Sequence, residues 1–445
     1  MNFSDFLAGK LLLPQEIPLS TATISYLHRT NQIKKHPSIE QKYNRYQCLR
    51  CGNRKQSLFA NLPCARCQSQ HLYCRNCIAT GRVLACEHLT TWTGDPPKWP
   101  KQVNPCNWKG TLTKHQQLAA ETLKKALASH QAEQLVWAVC GSGKTEMLFP
   151  VIELAIKENR RLCIATPRAD VVRELFPRIK QSFPQTETEA LYADSPDRTE
   201  IGQLVISTTH QLIRYQEAFD LMIIDEIDAF PFHHDPTLPF LSNRACKEDA
   251  TKIYLTATPR PSQQKQISKK KLPTIFVPIR YHGHPLPIPQ LQIEWNLRKK
   301  LKRGNQPNTL QHFINKRTNQ RQLLIFVPSI ALLEKVATLL KAESVHAGDP
   351  KRKEKVIDFR QKKIDVLITT TILERGVTFP SVDVVVLDAG HKVFDEAALV
   401  QIAGRAGRSP DDPTGEVVLI HQGKTTAIEQ AITQIKMMNK KGMKL

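Results

Sequence analysis

The sequence predicts an α/β protein: two parallel-sheet domains in series, with a small cysteine-rich module in front of them. Three observations predict it. From Leu112 onward, short β-branched apolar runs alternate with helical patterns, as buried parallel strands with crossover helices do. A second such series follows a stretch rich in Pro, Lys, Arg and Asn between Pro285 and Gln320. Three C-x2-C pairs crowd between Cys48 and Cys77.

Residues 1 to 46 read as a polar, basic leader, residues 47 to 90 as the cysteine module, residues 91 to 290 as the first large domain and 291 to 445 as the second. Four prolines between Trp92 and Trp108 mark an extended linker. The first series has strands at Leu135–Val139, Arg161–Ala165, Gln203–Ile206, Leu221–Ile224 and Lys252–Leu255. The second has Leu323–Val327, Val366–Thr369, Val382–Leu387 and Glu416–Ile420, with helices at Ile330–Lys341 and Ala427–Lys440. The inter-domain joint is expected near Pro285 to Gln320.

At 445 residues the chain exceeds one hydrophobic core, and 41% apolar with 23% charged residues is a globular composition. The 63 Lys and Arg against 41 Asp and Glu leave a net charge of +22, which favours a polyanionic partner such as a phosphate backbone. The N-terminus lacks the pattern of a secretory signal, and no stretch approaches the ~20 apolar residues of a spanning helix. A cytosolic protein is expected, one that can still dock on a membrane partner. Eleven cysteines in that setting argue for metal rather than disulfides.

Ala138-Val-Cys-Gly-Ser-Gly-Lys-Thr145 stands between an apolar strand and an amphipathic helix, the setting of a phosphate-binding loop. Gly141, Ser142 and Gly143 let backbone amides turn toward phosphate oxygens, Lys144 reaches the β- and γ-phosphates, and Thr145 ligates Mg²⁺. Leu221-Met-Ile-Ile-Asp-Glu-Ile-Asp228 delivers three carboxylates at the end of a buried strand. Asp225 is placed to hold Mg²⁺ through water, and Glu226 to orient and deprotonate the attacking water. Asp228 is positioned to engage the hydroxyls of Thr256 and Thr258 after the next strand. In the second domain, Gln401-Ile-Ala-Gly-Arg-Ala-Gly-Arg408 sets Arg405 and Arg408 on one face of a helix or turn, able to point across a cleft at γ-phosphate charge.

Cys48, Cys51, Cys74 and Cys77 have the spacing of a four-thiolate structural Zn²⁺ knuckle. Cys64 and Cys67 exceed the needs of one ion. With Cys86 and His88 they form a second, interleaved site, or they are spare thiols.

In this order, the segments over roughly residues 110 to 425 resemble the motor motifs of superfamily-two helicases, with their two RecA-like P-loop NTPase domains. The resemblance implies that Gln116 of Thr113-Lys-His-Gln116 belongs to the adenine-reading element. It implies that Arg168, Thr208, Thr209 and Thr370 line a nucleic-acid groove, and that Thr378 stands where Asp is usual. The cysteine pairs, Asp225-Glu-Ile-Asp-Ala-Phe-Pro231, Glu374-Arg-Gly-Val-Thr-Phe-Pro380 and Met437-Met-Asn-Lys440 further resemble the competence family ComFA from about residue 45 onward. That similarity implies an ATP-driven enzyme drawing transforming single-stranded DNA through a membrane channel, at the cytoplasmic face, with partners of the ComFC, ComEC and DprA type. The motifs do not set the oligomeric state, and a homo-oligomer is compatible with them. The alternatives are a replication-restart helicase resembling PriA, an RNA helicase, and a zinc-dependent DNA-binding module on a weak ATPase core.

Overall fold

The computed structural model describes residues 3–193, 195, 202–317 and 321–443. Seven strands form the first large sheet, in the spatial order Thr188–Leu191, Leu204–Thr208, Leu162–Thr166, Phe219–Ile224, Cys246–Thr256, Glu133–Ala138 and Thr274–Val277. Every neighbouring pair is parallel. The second large sheet has six strands, again all parallel: Gln290–Ile293, Val417–His421, Val382–Leu387, Gln322–Phe326, Val366–Thr369 and Glu343–Val345. Central strands such as Leu162–Thr166 and Gln322–Phe326 are buried at every residue. Helices cover both faces of such a sheet, so these strands read as continuous apolar runs.

Parallel pairing brings all the carboxyl ends of a sheet to one edge, where the ligand crevice of open α/β folds lies. In register, Ile224 aligns with Ala165 and Tyr254, while Thr256 aligns with Trp137. The loops that follow these strands therefore emerge side by side.

Two expectations differ from the structure. Residues expected to form a leader are folded: helices Phe3–Leu7 and Thr21–Arg29 and strands Leu11–Leu12, Ile33–Pro37, Ile39–Lys42 and Arg45–Cys48. Leu11–Leu12 and Ile33–Pro37 pair on either side of His88–Trp92, so chain from before and after the cysteines closes one antiparallel sheet. Its core, Leu7, Leu12, Leu27 and Ile33, is widely spaced along the chain and shows no period in the sequence. The joint is also shorter than expected. Gln290–Ile293 and helices Leu297–Lys302 and Asn308–Lys316 already belong to the second large domain, burying Leu297, Leu301, Leu310 and Phe313 beneath exposed lysines. Residues 318–320, at the end of that stretch, lie outside the described residues.

The Pro-rich segment after Trp92 runs along the first large domain. The Asn107 amide donates to the Ser182 carbonyl at 2.7 Å, and Trp108 meets Phe149 edge-on at 5.4 Å.

Two buried arginines organise the N-terminal region: Arg50 ties its parts together, and Arg244 fastens it to the first large domain. Arg50, wholly buried, donates to Glu16 at 2.6 Å and to the carbonyls of Thr80 and Gly81. Arg244, on helix Thr237–Ala245, donates to the carbonyls of Tyr215 at 3.0 Å and Ile213 at 2.6 Å in its own domain, and to those of Leu49 and Arg50 in the module. Burial, with Arg50 beside it, pulls the Arg244 guanidinium down to about 10. Replacing Arg244 by Ala leaves these carbonyls without their donor, at a cost of roughly 1 to 3 kcal/mol. Arg244→Ala should split thermal unfolding into separate transitions of the module and the α/β domains and speed proteolysis between residues 92 and 108. A single unchanged transition would refute the fastening role.

Candidate nucleotide site and cysteine centre

The strand Glu133–Ala138 ends in a loop that enters helix Lys144–Lys157. Gly141 has φ +78° and Gly143 φ +70°, the left-handed region that favours glycine. At Gly143 a Cβ would lie 2.2 Å from Gln116 Nε2, so no other residue fits there without displacing Gln116. Among the described residues the amides of Gly141 and Gly143 donate to no protein acceptor, and the buried Ser142 hydroxyl has no partner. Unpaired donors at a helix N-terminus suit an anion.

Gln116 sits differently from the expectation. Its carboxamide accepts from the Thr113 amide at 2.8 Å and donates to the carbonyls of Ser142 at 2.8 Å and Gly143 at 3.3 Å. The side chain clamps the phosphate-loop backbone, and in this arrangement its polar atoms are engaged rather than turned to a base.

The strand Phe219–Ile224 delivers the acids. Asp225 accepts from the Glu226 amide at 2.8 Å, and its own amide donates to Ala165. Burial raises the Asp225 carboxyl to about 6, and Lys144 nearby opposes that rise. Glu226 adopts φ +55°, and its Oε2 is buried without a hydrogen bond, 3.7 Å from Arg375. Asp228 is completely buried and accepts from both expected hydroxyls, Thr256 and Thr258, each at 2.6 Å.

The second domain closes the cleft. A cavity of about 570 Å³ is lined by Lys144, Thr145, Asp225 and Glu226 from one side and by Gln401, Arg405 and Arg408 from the other. Cys140 Sγ donates to Gln401 Oε1 at 2.9 Å, and a Cβ on Gly404 would lie 2.5 Å from the Cys140 Cβ, so the two backbones touch here. Arg405 donates through Nε to the Glu374 carbonyl at 2.9 Å, while its buried NH1 has no partner. Burial and then Arg408 pull its guanidinium down to about 9. Arg408 is held by the Val377 carbonyl at 3.1 Å and by the hydroxyl of Thr378 at 3.0 Å, which gives the unusual Thr378 a partner.

Two arginines absent from the residue-level expectations shape the cleft. Arg375 donates to Asp228 across the domain boundary, and both are buried. Arg280, wholly buried, donates to the carbonyls of Ala406 at 2.8 Å and Gly407, while the neighbouring Tyr281 amide donates to Gly141 at 2.9 Å. One short segment therefore touches the phosphate loop and the arginine loop together. Arg375 lies in a segment that carries the family resemblance, whereas no sequence signal marks Arg280.

The expected nucleic-acid residues are only partly brought to a surface. Arg168 and Thr370 are half-buried, and Arg168 donates to the Ile372 carbonyl at 3.0 Å across the domains. Thr208 and Thr209 have buried side chains, Thr209 completely, because the first ends an interior strand and the second begins the turn packed beneath it. Any contact from these two would be through backbone, which corrects the expectation for their hydroxyls.

In the module, Cys48, Cys51, Cys74 and Cys77 are all buried, with their sulfurs within 4.8 Å of one another. Cys48 to Cys77 is 3.8 Å and Cys51 to Cys74 is 3.7 Å. Bonds of about 2.3 Å from one tetrahedral ion set sulfurs about 3.8 Å apart, so this donor set fits Zn²⁺. Asn53 Nδ2 lies 3.7 Å from Cys74 Sγ, a donor to the thiolate. Cys64 and Cys67 lie elsewhere, close to Cys86, and exposed His88 is not among them.

Residues 1–91 match the family model of the competence protein ComFA N-terminal domain. Residues 109–261 match the type III restriction enzyme res subunit, and 305–410 the helicase conserved C-terminal domain. Competence protein ComFA of Bacillus subtilis is 42% identical over 99% of this chain and 95% of its own length. Its namesake in Streptococcus pneumoniae is 38% identical over 85% and 90%. Among solved structures, yeast Dbp5 bound to RNA and ADP BeF3 superposes with a TM-score of 0.54 at 18% identity, covering 74% of this chain and 88% of that one. The Mycobacterium smegmatis helicase Lhr, bound to ssDNA and AMP-PNP, does so at 0.51 and 17%, covering 73% and 48%. The two parallel sheets are thus the RecA-like pair of a helicase fold, and the chain belongs to the ComFA family of competence proteins.

Proposed function

We propose that this chain is an ATP-dependent single-stranded DNA translocase that drives uptake of transforming DNA during natural competence. The observation that carries the reading is the buried, unpartnered NH1 of Arg405 in a cleft whose opposite wall is the glycine loop, Lys144 and Asp225. A desolvated cation facing unpaired amides calls for a polyanion, and a nucleoside triphosphate satisfies both walls at once.

In this reading Lys144 holds the β- and γ-phosphate oxygens and Gln116 keeps the loop in shape. Thr145 and Asp225 would hold Mg²⁺, which supplies charge neutralisation on the phosphates. Glu226 Oε2, free of hydrogen bonds, takes the proton of the attacking water. Arg405 and Arg408 meet the charge that develops on the transferred group, with Gln401 fixing their loop against Cys140. Nucleic acid lies across both domains along Arg168 and Thr370, supported by the net charge of +22 and by the two nucleic-acid-bound neighbours. The four-cysteine centre holds a structural Zn²⁺. Partners of the ComFC, ComEC and DprA type, and docking at the cytoplasmic face of the membrane, belong to the same proposal and rest on family membership.

Lys144→Ala should abolish ATP turnover, and Glu226→Gln should retain bound ATP yet hydrolyse it at a small fraction of the wild-type rate. Wild-type hydrolysis by the Glu226→Gln protein would remove Glu226 as the base. Arg408→Ala should leave DNA affinity intact while lowering kcat by about 10³-fold or more, as loss of a γ-phosphate arginine does. Equal loss of binding and turnover would assign it a structural role. Single-stranded DNA should stimulate the ATPase more than duplex DNA or RNA does. With six to ten phosphate contacts, binding should fall by roughly 10³-fold or more between about 50 and 200 mM salt. A flat salt response, or stimulation by RNA alone, would contradict the proposal.

A further inference from the structure

The second group of cysteines is a better-formed site than its scattered numbering suggests. Cys64 and Cys67 occupy the turn that joins the strands Phe59–Pro63 and Gln70–Cys74, paired from Phe59 with Cys74 to Pro63 with Gln70. The turn is tightly held: the Cys64 amide donates to Ser69 at 2.9 Å and the Gln68 amide returns to Cys64 at 2.8 Å.

The third cysteine arrives from the neighbouring strand. Val83 pairs with Cys74 and Leu84 with Tyr73, and the Ala85 amide continues the ladder to the Leu72 carbonyl at 2.8 Å. The chain then turns, the Glu87 amide donating to the Leu84 carbonyl at 3.0 Å, and Cys86 lies in that turn. Cys86 Sγ comes to 3.7 Å from Cys64 Sγ, the same separation as in the four-cysteine centre, and the three sulfurs lie within 4.8 Å of one another. His71 Nε2 is 3.0 Å from Cys67 Sγ and is the histidine nearest the group, whose mutually close ligand atoms, all within 4.8 Å, are the three sulfurs alone. Arg66 and Glu87, each next to one of these cysteines, also pair at 4.0 Å.

We propose that Cys64, Cys67 and Cys86, with His71 as the fourth ligand, form a second structural zinc site at the end of this sheet opposite Cys74. His88, on the strand that returns to the N-terminal sheet and exposed, takes no part. The ligands interleave along the chain: those of the second ion fall between and after the two pairs of the first. The sheet of Phe59–Pro63, Gln70–Cys74 and Val83–Leu84 is then closed by metal at both ends of a strand about 14 Å long. Its strands have two to five residues, too few to hold together by apolar burial, so two ions supply what the missing core does not. This inference is independent of the nucleotide chemistry. Four-cysteine occupancy serves as its internal reference.

The test is elemental analysis of the full-length protein, purified under reducing conditions, incubated with excess Zn²⁺ and desalted. Two zinc ions per chain are expected, and one in the Cys67→Ser/Cys86→Ser double variant. His71→Ala should release one of its two ions faster to a chelating dye, by at least the roughly tenfold that loss of even an outer-shell partner costs. Co²⁺ substitution of the wild type supplies a readout that needs no variant: the second equivalent should give the charge-transfer bands of a three-sulfur, one-nitrogen site, distinct from those of the first. One zinc per chain after reconstitution, a Cys64–Cys86 disulfide in the intact mass, or two ions retained by the double variant would overturn the site. Wild-type release kinetics in His71→Ala, or a second Co²⁺ spectrum of four-sulfur type, would overturn the assignment of His71.

Discussion

The two RecA-like domains meet at a charge that neither could bury alone. Asp228 is fully enclosed, and Arg375 brings a guanidinium to its carboxylate from 147 positions away in the chain, while Arg260 donates to its carbonyl at 2.7 Å. Burial pushes the Asp228 carboxyl up, yet Arg375 and the hydroxyls of Thr256 and Thr258 hold it well below the usual carboxylate range. Losing one partner of such a pair strands the other, at about 3 to 5 kcal/mol. The pair therefore ties the loop that ends in Asp225 and Glu226 to the loop that follows Thr370. Arg375 also faces Glu226 at 3.7 Å, so the same guanidinium senses the acid in the cleft. Two residues upstream of Glu374, the Ile372 carbonyl takes the Arg168 guanidinium from the first domain. A short chain of contacts thus runs from the phosphate pocket to the residues assigned to nucleic acid.

The N-terminal region is built under a different constraint. It has short strands and little core, and it is held by metal-ready thiols and by buried arginines rather than by area. Arg50 joins Glu16 to the carbonyls of Thr80 and Gly81 within the module, and Arg244 donates to carbonyls of both the module and the first domain, so the two share the donors of one guanidinium. In the proposed function this places a rigid, basic platform beside the motor.

How much of this the sequence discloses depends on whether a feature is local. Interior strands were legible because both faces are buried: Leu323–Val327 was expected and Gln322–Phe326 is found, Val382–Leu387 matches at both ends. Of the four edge strands, Thr188–Leu191, Gln290–Ile293 and Glu343–Val345 were not, because each is short and half polar, and Thr274–Val277 was not because its apolar run is only three residues long. The phosphate loop and the acids after Ile224 were legible from their order along the chain. The roles of Gln116, Arg280 and Arg375 were not, since each is defined by a partner far away in sequence. Nothing in composition distinguishes an arginine that will be buried from one that will face water. The leader expected over residues 1 to 46 failed for a related reason: its core is completed only by Leu89 to Trp92, on the far side of the cysteines.

A coupling between the cleft and the domain boundary requires Asp228 and Arg375 to act as one unit. The most direct measurement is a double-mutant cycle with Asp228→Asn and Arg375→Gln, read as kcat for ATP hydrolysis with saturating single-stranded DNA. If the pair is the joint on which closure depends, the second substitution should add little to the first, leaving a coupling energy of about 1.4 kcal/mol or more, a factor of ten in rate. Single effects that add to within about 0.5 kcal/mol would show the two side chains acting independently, and would contradict the account.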